Sequence, residues 1–126
     1  MAALCVVDGA NVVGSVPDGW WRDRRGAAER LRDRLADLGH DGLPGWPPPL
    51  DVVLVVEGKA RGVESSTTLQ VVSAPGSGDD TIVELVSDVY DRLVVVVTAD
   101  RGLVARVEAE GASVIGPRTL LSATGR

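Results

Sequence analysis

Apolar residues along the chain follow two alternating patterns. Short continuous runs, typical of strands that are covered on both faces, occupy residues 3–7, 51–56, 69–72, 93–97 and 112–115. Apolar residues at helical spacing predict amphipathic helices at 20–38, from 79 or 80 to 89, and around 103–107, with a terminal helical turn at 117–122. Strands that alternate with helices favour right-handed crossovers and a parallel sheet. We therefore expect a three-layer α/β/α fold with a mainly parallel, five-stranded sheet.

Glycine and proline mark the predicted ends of these elements. Gly39 is the predicted stop signal of the first helix, and Gly111 closes the helix around residues 103–107. The Gly- and Pro-rich stretch 39–49 is predicted to be a surface connection without helix or strand. No repeat or linker interrupts the pattern, so we expect one domain over residues 1–126.

Composition and charge narrow the function classes. The single cysteine, Cys5, lies inside an apolar run and cannot form an internal disulfide, which favours a reducing compartment. The sequence shows no secretory signal and no apolar run of membrane-spanning length, so a cytoplasmic protein is expected. The net charge of −5 argues against salt-driven, non-specific coating of nucleic acid. Any nucleic-acid binding should therefore be local.

Acidic side chains follow the predicted strands at one edge of the sheet. Asp8 comes directly after the first strand, Asp100 lies just past the fourth, and Asp79 and Asp80 open a helix that must begin at the same edge. In an open parallel sheet, this edge carries the functional crevice. Carboxylates brought together there repel one another unless a hard cation neutralises them. A site for Mg²⁺ or Mn²⁺ is the simplest interpretation.

Helix capping is the structural alternative for most of these acids. Asp79, Asp80 and Asp100 each stand at a predicted helix start, where aspartate is favoured whatever the function. Asp8 precedes no predicted helix, so capping does not account for it, and a turn formed with Gly9 is the alternative there.

Four stretches of the chain resemble the NYN branch of the PIN-like ribonuclease superfamily. They are VVDGANVVGS at 6–15, GDDTIVELV at 78–86, VVTADRGLVARV at 96–107 and GASVIGP at 111–117. The resemblance implies a PIN-like, Rossmann-like sheet of order 3-2-1-4-5 and a metal-dependent endoribonuclease, a hydrolase that uses Mg²⁺ or Mn²⁺ to cleave RNA phosphodiester bonds.

The resemblance also implies roles for individual residues. Asp8 would be the first metal ligand, Asp80 with its neighbour Asp79 the second, and Asp100 the third. Asn11 would complete the catalytic set by orienting the first loop, and Thr98 would place a hydroxyl near the metal. The chain departs from the family pattern at Arg101, where many relatives carry another acid. This difference leaves open whether one or two metal ions bind.

Basic and aromatic residues near the same edge are candidates for binding RNA. The predicted substrate-binding residues are Trp20, Arg22, Arg24, Arg25, Lys59, Arg61 and Arg101. Glu57 would be an additional acid near the metal or an ion-pair partner for these side chains. A solvated helix face is the alternative for the arginines, and a packing role is the alternative for the tryptophan.

Two other functions are consistent with parts of the sequence. A non-catalytic PIN-like module that binds RNA or protein would keep the fold without turnover, and a homodimer or a protein partner is left open. The string VVEGKA at 55–60 resembles the Toprim signature, but the later Asp-x-Asp pair is missing. Phosphatase, dinucleotide-binding and P-loop motifs are absent from the sequence. The partner that the NYN resemblance implies is RNA.

Overall fold

The structure, a computed structural model, describes residues 1–125. One five-stranded sheet forms the centre, with strand order β3-β2-β1-β4-β5 and parallel pairing throughout. The strands are β1 (Ala3–Asp8), β2 (Leu50–Val56), β3 (Gln70–Ser73), β4 (Val94–Val97) and β5 (Ser113–Ile115). The predicted fold class and strand order are confirmed.

Helices cover both faces of the sheet and produce two hydrophobic cores. The helices are α1 (Gly9–Gly14), α2 (Arg24–Arg34), α3 (Leu38–Asp41), α4 (Gly78–Ser87), α5 (Arg101–Ala109) and α6 (Pro117–Thr124), with short 3-10 turns at Trp20–Arg22 and Gly58–Ala60. Helices α1, α2, α3 and α6 pack on one face, and α4 and α5 pack on the other. The result is the predicted three-layer arrangement.

Strand β1 shows why the central strands are continuous apolar runs. Cys5 and Val7 pack into one core, while Leu4 and Val6 pack into the other. Every position must therefore be apolar, because successive side chains point to opposite faces and both faces are covered. Burial raises the pKa of the Cys5 thiol to about 12, so this residue behaves as a small hydrophobe.

A short helix directly after β1 corrects the interpretation of Asp8. Helix α1 starts at Gly9, and the Asp8 carboxylate accepts a hydrogen bond from the Asn11 backbone N–H at 3.4 Å. Asp8 is therefore an N-cap, which the sequence pattern did not predict. Gly9 is required because a Cβ there would lie 2.5 Å from the backbone oxygen of Val55. The helix thus begins in close contact with β2.

The helix predicted at 20–38 is in fact three separate pieces. A 3-10 turn at Trp20–Arg22 precedes α2, which begins where Asp23 accepts a hydrogen bond from the Gly26 N–H at 2.9 Å. Gly39 lies inside α3 and does not stop the first helix. A glycine is needed there for close packing, since a Cβ would lie 2.6 Å from the Leu50 backbone oxygen. The left-handed residue at the helix end is Gly42, with φ 77°.

The remaining boundaries differ from prediction by a residue or two. Helix α4 begins at Gly78, and the terminal turn is a full helix, α6. Trp46 pairs with Leu43 and packs against the first core. Within residues 1–125, no helix is long and apolar enough to cross a membrane.

Candidate active site

The strand order reverses between β1 and β4, and the candidate site lies at the carboxyl ends of these strands. Within residues 1–125, two polar side chains are buried: Asp8, 4% exposed, and Thr98, 2% exposed. The Thr98 hydroxyl donates to the Asp8 carboxylate at 2.8 Å. This bond connects the ends of two neighbouring strands, so the carboxylate has a fixed position.

Two further hydrogen bonds fix the connection from β4 to α5. The backbone N–H of Ala99 donates to the Asn11 side-chain oxygen at 2.8 Å, and the Asp100 N–H donates to the Thr98 hydroxyl at 3.1 Å. The Asp100 carboxylate accepts from the Leu103 N–H at 3.0 Å and so caps α5. Asn11 and Thr98 therefore align the loops that carry Asp8 and Asp100.

Asp79 has no structural partner that explains it. Helix α4 is capped by Ser77, whose hydroxyl accepts from the Asp80 N–H at 3.2 Å, so neither aspartate is the cap. Within residues 1–125, the half-buried Asp79 carboxylate makes no hydrogen bond and no ion pair. Desolvation raises its pKa, and the charges of Asp100 and Glu57 raise it further. The nearby charge of Arg106 lowers the Asp79 pKa and offsets part of this increase.

Asp80, by contrast, has a charged partner. Its carboxylate forms an ion pair with Arg106 of α5 at 3.0 Å, and its side chain is 68% exposed. Resemblance alone made Asp80 the ligand and Asp79 its neighbour. The contacts favour the reverse assignment, because Asp79 faces the other acids while Asp80 faces a cation.

Glu57, at the end of β2, approaches the same acids. Its carboxylate rests against Gly78 so closely that a Cβ on that glycine would lie 2.7 Å from the Glu57 Oε1 atom. Burial is the main cause of the raised pKa of Asp8, and the charges of Asp79 and Glu57 add to it. Hydrogen bonds from Thr98 and Asn11 oppose the increase. Four acids thus influence one another at this edge: Asp8, Glu57, Asp79 and Asp100.

These acids fit a hard divalent cation in chemistry and in charge. Carboxylate oxygens are the ligands that Mg²⁺ and Mn²⁺ prefer, and a cation would counter the burial and the charge repulsion that raise the Asp8 and Asp79 pKa values. Within residues 1–125, no three aspartate, glutamate, histidine or cysteine side chains lie together in a way that could hold a metal ion. A site here would therefore rest on one or two carboxylates, and Mg²⁺ commonly binds in this way, with several waters and the substrate phosphates as its other ligands.

The predicted basic residues divide into two sets. Arg25 donates to the Gly62 carbonyl at 3.0 Å, and Arg61 donates to the Gly58 and Pro75 carbonyls at 3.1 and 3.2 Å. These two arginines therefore brace the loops after β2. A role in binding substrate would require them to exchange these bonds for contacts with phosphate.

The second set remains available to a ligand. Arg22 and Arg24 lie over the rings of Trp21 and Trp20, at 5.8 and 5.3 Å from the ring centroids. The exposed Lys59 and Arg101 make no side-chain hydrogen bond and no ion pair within residues 1–125.

Sequence reasoning missed Arg118. This exposed residue lies in the first turn of α6 and lines an open groove together with Asn11, Trp20 and Ala99. The signal was present, because Pro117 at a helix start after β5 places the next residue at the carboxyl edge of the sheet. The interpretation of 117–122 as a terminal turn left that signal unused.

Comparisons with known proteins give one curated relative and a shared fold. No protein-family model matches the chain. A UPF0371 protein from Corynebacterium aurimucosum is 33% identical over 75 residues, which span 54% of this chain and 15% of that protein. The chain thus corresponds to a small part of the curated relative.

Two crystal structures of Rae1 (YacP) from Bacillus subtilis share the architecture. A tryptophan-to-leucine mutant superposes with a TM-score of 0.75 at 20% identity, covering 98% of this chain and 75% of the other. The second structure gives 0.73 at 20% identity, covering 96% and 72%. At this identity the similarity shows the fold, which is the PIN-like α/β/α fold.

Proposed function

We propose that this protein is a ribonuclease of the PIN-like, NYN type, which hydrolyses RNA phosphodiester bonds with Mg²⁺ or Mn²⁺. The observation that supports it most is Asp79. This carboxylate neither caps its helix nor pairs with a cation within residues 1–125, and it lies where other acids raise its pKa. The dipole of α4 favours an acid in its first turn, and a divalent cation between Asp79 and its neighbours would supply the counter-charge that burial among other acids calls for.

Different residues of the chain would bind the metal ion and position its ligands. One or two of the carboxylates of Asp8, Asp79 and Asp100 would hold the cation, with water and substrate phosphate as the other ligands and Glu57 nearby. When bound, the cation would lower the pKa of a water and stabilise the charge that develops on the phosphate and the leaving oxygen. Thr98 holds the Asp8 carboxylate in place through its 2.8 Å hydrogen bond, so little reorganisation is needed during the reaction.

The surrounding side chains support the same assignment. Arg101 follows Asp100 directly and is exposed, so its guanidinium would bind a phosphate of the substrate. The single histidine, His40, lies in α3 and contacts Asp41 at 3.2 Å, at the amino end of the sheet. The chain therefore offers no histidine as a general base at the acidic edge.

The test is a cleavage assay with purified protein, single-stranded RNA, and Mn²⁺, Mg²⁺ or EDTA. We expect cleavage that requires metal and that falls at least about 100-fold in Asp8→Asn, the range seen when one preorganised electrostatic group is lost. Mn²⁺ should also raise the melting temperature of the wild type but not of Asp8→Asn, since a ligand of the folded state stabilises it.

Three outcomes would contradict the proposal. They are cleavage that persists in EDTA, cleavage that survives in Asp8→Asn, and a wild-type melting curve that millimolar Mn²⁺ leaves unchanged. RNA binding without turnover in both forms would instead identify a non-catalytic PIN-like module.

A further inference from the structure

Two hollows adjoin the acidic edge, and Trp20 contributes to both. The larger is an open groove of about 750 Å³ between α1, the 3-10 turn and α6. The smaller, about 290 Å³, lies between α1, the start of α2 and the end of β2, and includes Arg24 and Glu57. The groove reaches Asn11 and Ala99, which are hydrogen-bonded to each other next to Thr98. It therefore ends at residues that adjoin Asp8 and Asp100 in the connections after β1 and β4.

Trp20 is held in place without being a core residue. It belongs to neither hydrophobic core of residues 1–125, whereas Trp46 packs against one of them. A Cβ at Gly14 would lie 3.8 Å from the indole, so the ring rests on α1. The Arg24 guanidinium lies 5.3 Å from the ring centroid, and Trp21 meets the ring edge-on at 6.0 Å. A half-buried aromatic fixed in this way binds a partner with little loss of side-chain entropy.

The groove also offers one cation that is not used for folding. Arg34 at its edge donates to the Leu121 carbonyl at 2.7 Å and to the Thr124 hydroxyl at 3.3 Å, so it braces α6. Arg118 is exposed and makes no side-chain hydrogen bond or ion pair within residues 1–125. An aromatic wall beside an available guanidinium matches a base next to its phosphate.

We infer that Trp20 stacks on an unpaired base of a single-stranded RNA, with a neighbouring phosphate on Arg118 and the chain continuing to the acidic edge. This inference rests on the proposed nuclease function and specifies its substrate class. A net charge of −5 leaves few phosphate contacts, so stacking must supply much of the affinity. In a duplex, base pairing and stacking hide the base faces, so a duplex cannot offer a base to Trp20.

The test measures binding apart from catalysis. All proteins carry Asp8→Asn and are kept in EDTA, and the probe is a fluorescein-labelled single-stranded oligoribonucleotide of mixed sequence followed by anisotropy. We expect Trp20→Ala to weaken binding about 5- to 150-fold, the range for loss of one stacked base, and Trp20→Phe to restore part of it. The control is Tyr90→Ala, which removes a 94% exposed aromatic ring outside both hollows, in the connection between α4 and β4, and should bind like the parent.

Two further measurements keep the result interpretable. Arg118→Ala should weaken binding and lower the slope of log Kd against log salt by about 0.7, as for one lost phosphate contact on a single strand. If Trp20→Ala does not fold, a protein with Trp21→Phe and Trp46→Phe leaves Trp20 as its one tryptophan. The oligonucleotide should then quench the fluorescence of Trp20, and an all-abasic strand should not.

The outcomes separate this inference from the proposed function. Equal binding by Trp20→Ala and Tyr90→Ala, or equal affinity for the strand and its duplex, would overturn the stacking role, even if the wild type cleaves RNA with metal. Binding that depends on Trp20 without metal-dependent cleavage would uphold the stacking role and defeat the nuclease.

Discussion

Acidic side chains at the two ends of the sheet differ in the partners that they bind. At the amino end, Asp51 of β2 forms an ion pair with Arg92, whose guanidinium also donates to the Ala2 carbonyl at 3.2 Å. At the carboxyl end, Asp8 accepts hydrogen bonds from uncharged donors, and Asp79 has no partner within residues 1–125. An acid placed for stability has a counter-charge or caps a helix, and Asp79 does neither within residues 1–125, which favours a functional role for it.

Asp79 and Asp80, which are adjacent in sequence, differ in their partners in the same way. Asp80 behaves like the acids of the amino end, because it is exposed and pairs with Arg106. Asp79, one position earlier, behaves like Asp8, because burial and neighbouring acids raise its pKa. One residue along a helix changes direction by about 100°, which is enough to move a side chain from one environment to the other.

The largest effect expected is the difference between Asp79→Asn and Asp80→Asn. We expect Asp79→Asn to lower metal-dependent RNA cleavage about 100-fold or more, because it removes a group that would stabilise charge in the site. Asp80→Asn should change cleavage by less than about 3-fold, since an exposed ion pair contributes roughly 0–1 kcal/mol. Single-turnover rates measure both. A larger loss in Asp80→Asn would restore that residue as the ligand.

At each end of the sheet, one glycine packs closely against the backbone oxygen of a strand residue. A Cβ at Gly9 would lie 2.5 Å from the Val55 backbone oxygen at the carboxyl end, and one at Gly39 would lie 2.6 Å from that of Leu50 at the amino end. Both Gly→Ala changes should lower the free energy of unfolding by about 1–3 kcal/mol, the range for overpacking. Denaturant unfolding at equilibrium gives this value.

Activity per folded molecule distinguishes the two glycine variants. Gly9→Ala moves the start of α1 and hence the capping residue Asp8, so cleavage should also fall. Gly39→Ala lies far from the acids and should cleave like the wild type below its melting temperature. Equal loss of cleavage activity per folded molecule in both variants would mean that cleavage does not depend on the position of Asp8 at the start of α1.

The pH dependence of stability should differ between wild type and Asp8→Asn. The folded-state pKa of Asp8 lies above its ordinary value of 3.8, so the stability from the protonated form is present below that value and is lost as the pH rises through the folded-state pKa. In EDTA, Asp8→Asn should therefore match the wild type in melting temperature in acid and exceed it at neutral pH. A constant difference across the range would contradict this account.

The smallest effect is expected at the amino end. Asp51→Asn breaks the ion pair with Arg92, and since the Asp51 side chain is 62% exposed, stability should change by less than about 1 kcal/mol. The increase in melting temperature with Mn²⁺ should be the same as in the wild type. A loss of the Mn²⁺ effect in Asp51→Asn would show that the metal binds outside the acidic edge.

Local sequence patterns determined the fold class and the edge at which the chemistry lies. Continuous apolar runs require strands covered on both faces, and the alternation with helices requires parallel crossovers, so the acids after β1 and β4 had to meet at one edge. These conclusions depend on period and order, which are properties of neighbouring residues. The same reasoning missed α1, because a six-residue helix whose first and last residues are glycines has too few positions to show a helical period.

Tertiary structure alone decided which side chains face one another. Asp8 is a cap that also bonds to Thr98, 90 positions away, and Asp79 rather than Asp80 faces the other acids because Ser77 starts the helix. Arg25 and Arg61 are tied to loop carbonyls that no local pattern reveals. The direction of a side chain depends on where its element begins and on contacts made across the sheet, and those contacts join residues distant in sequence.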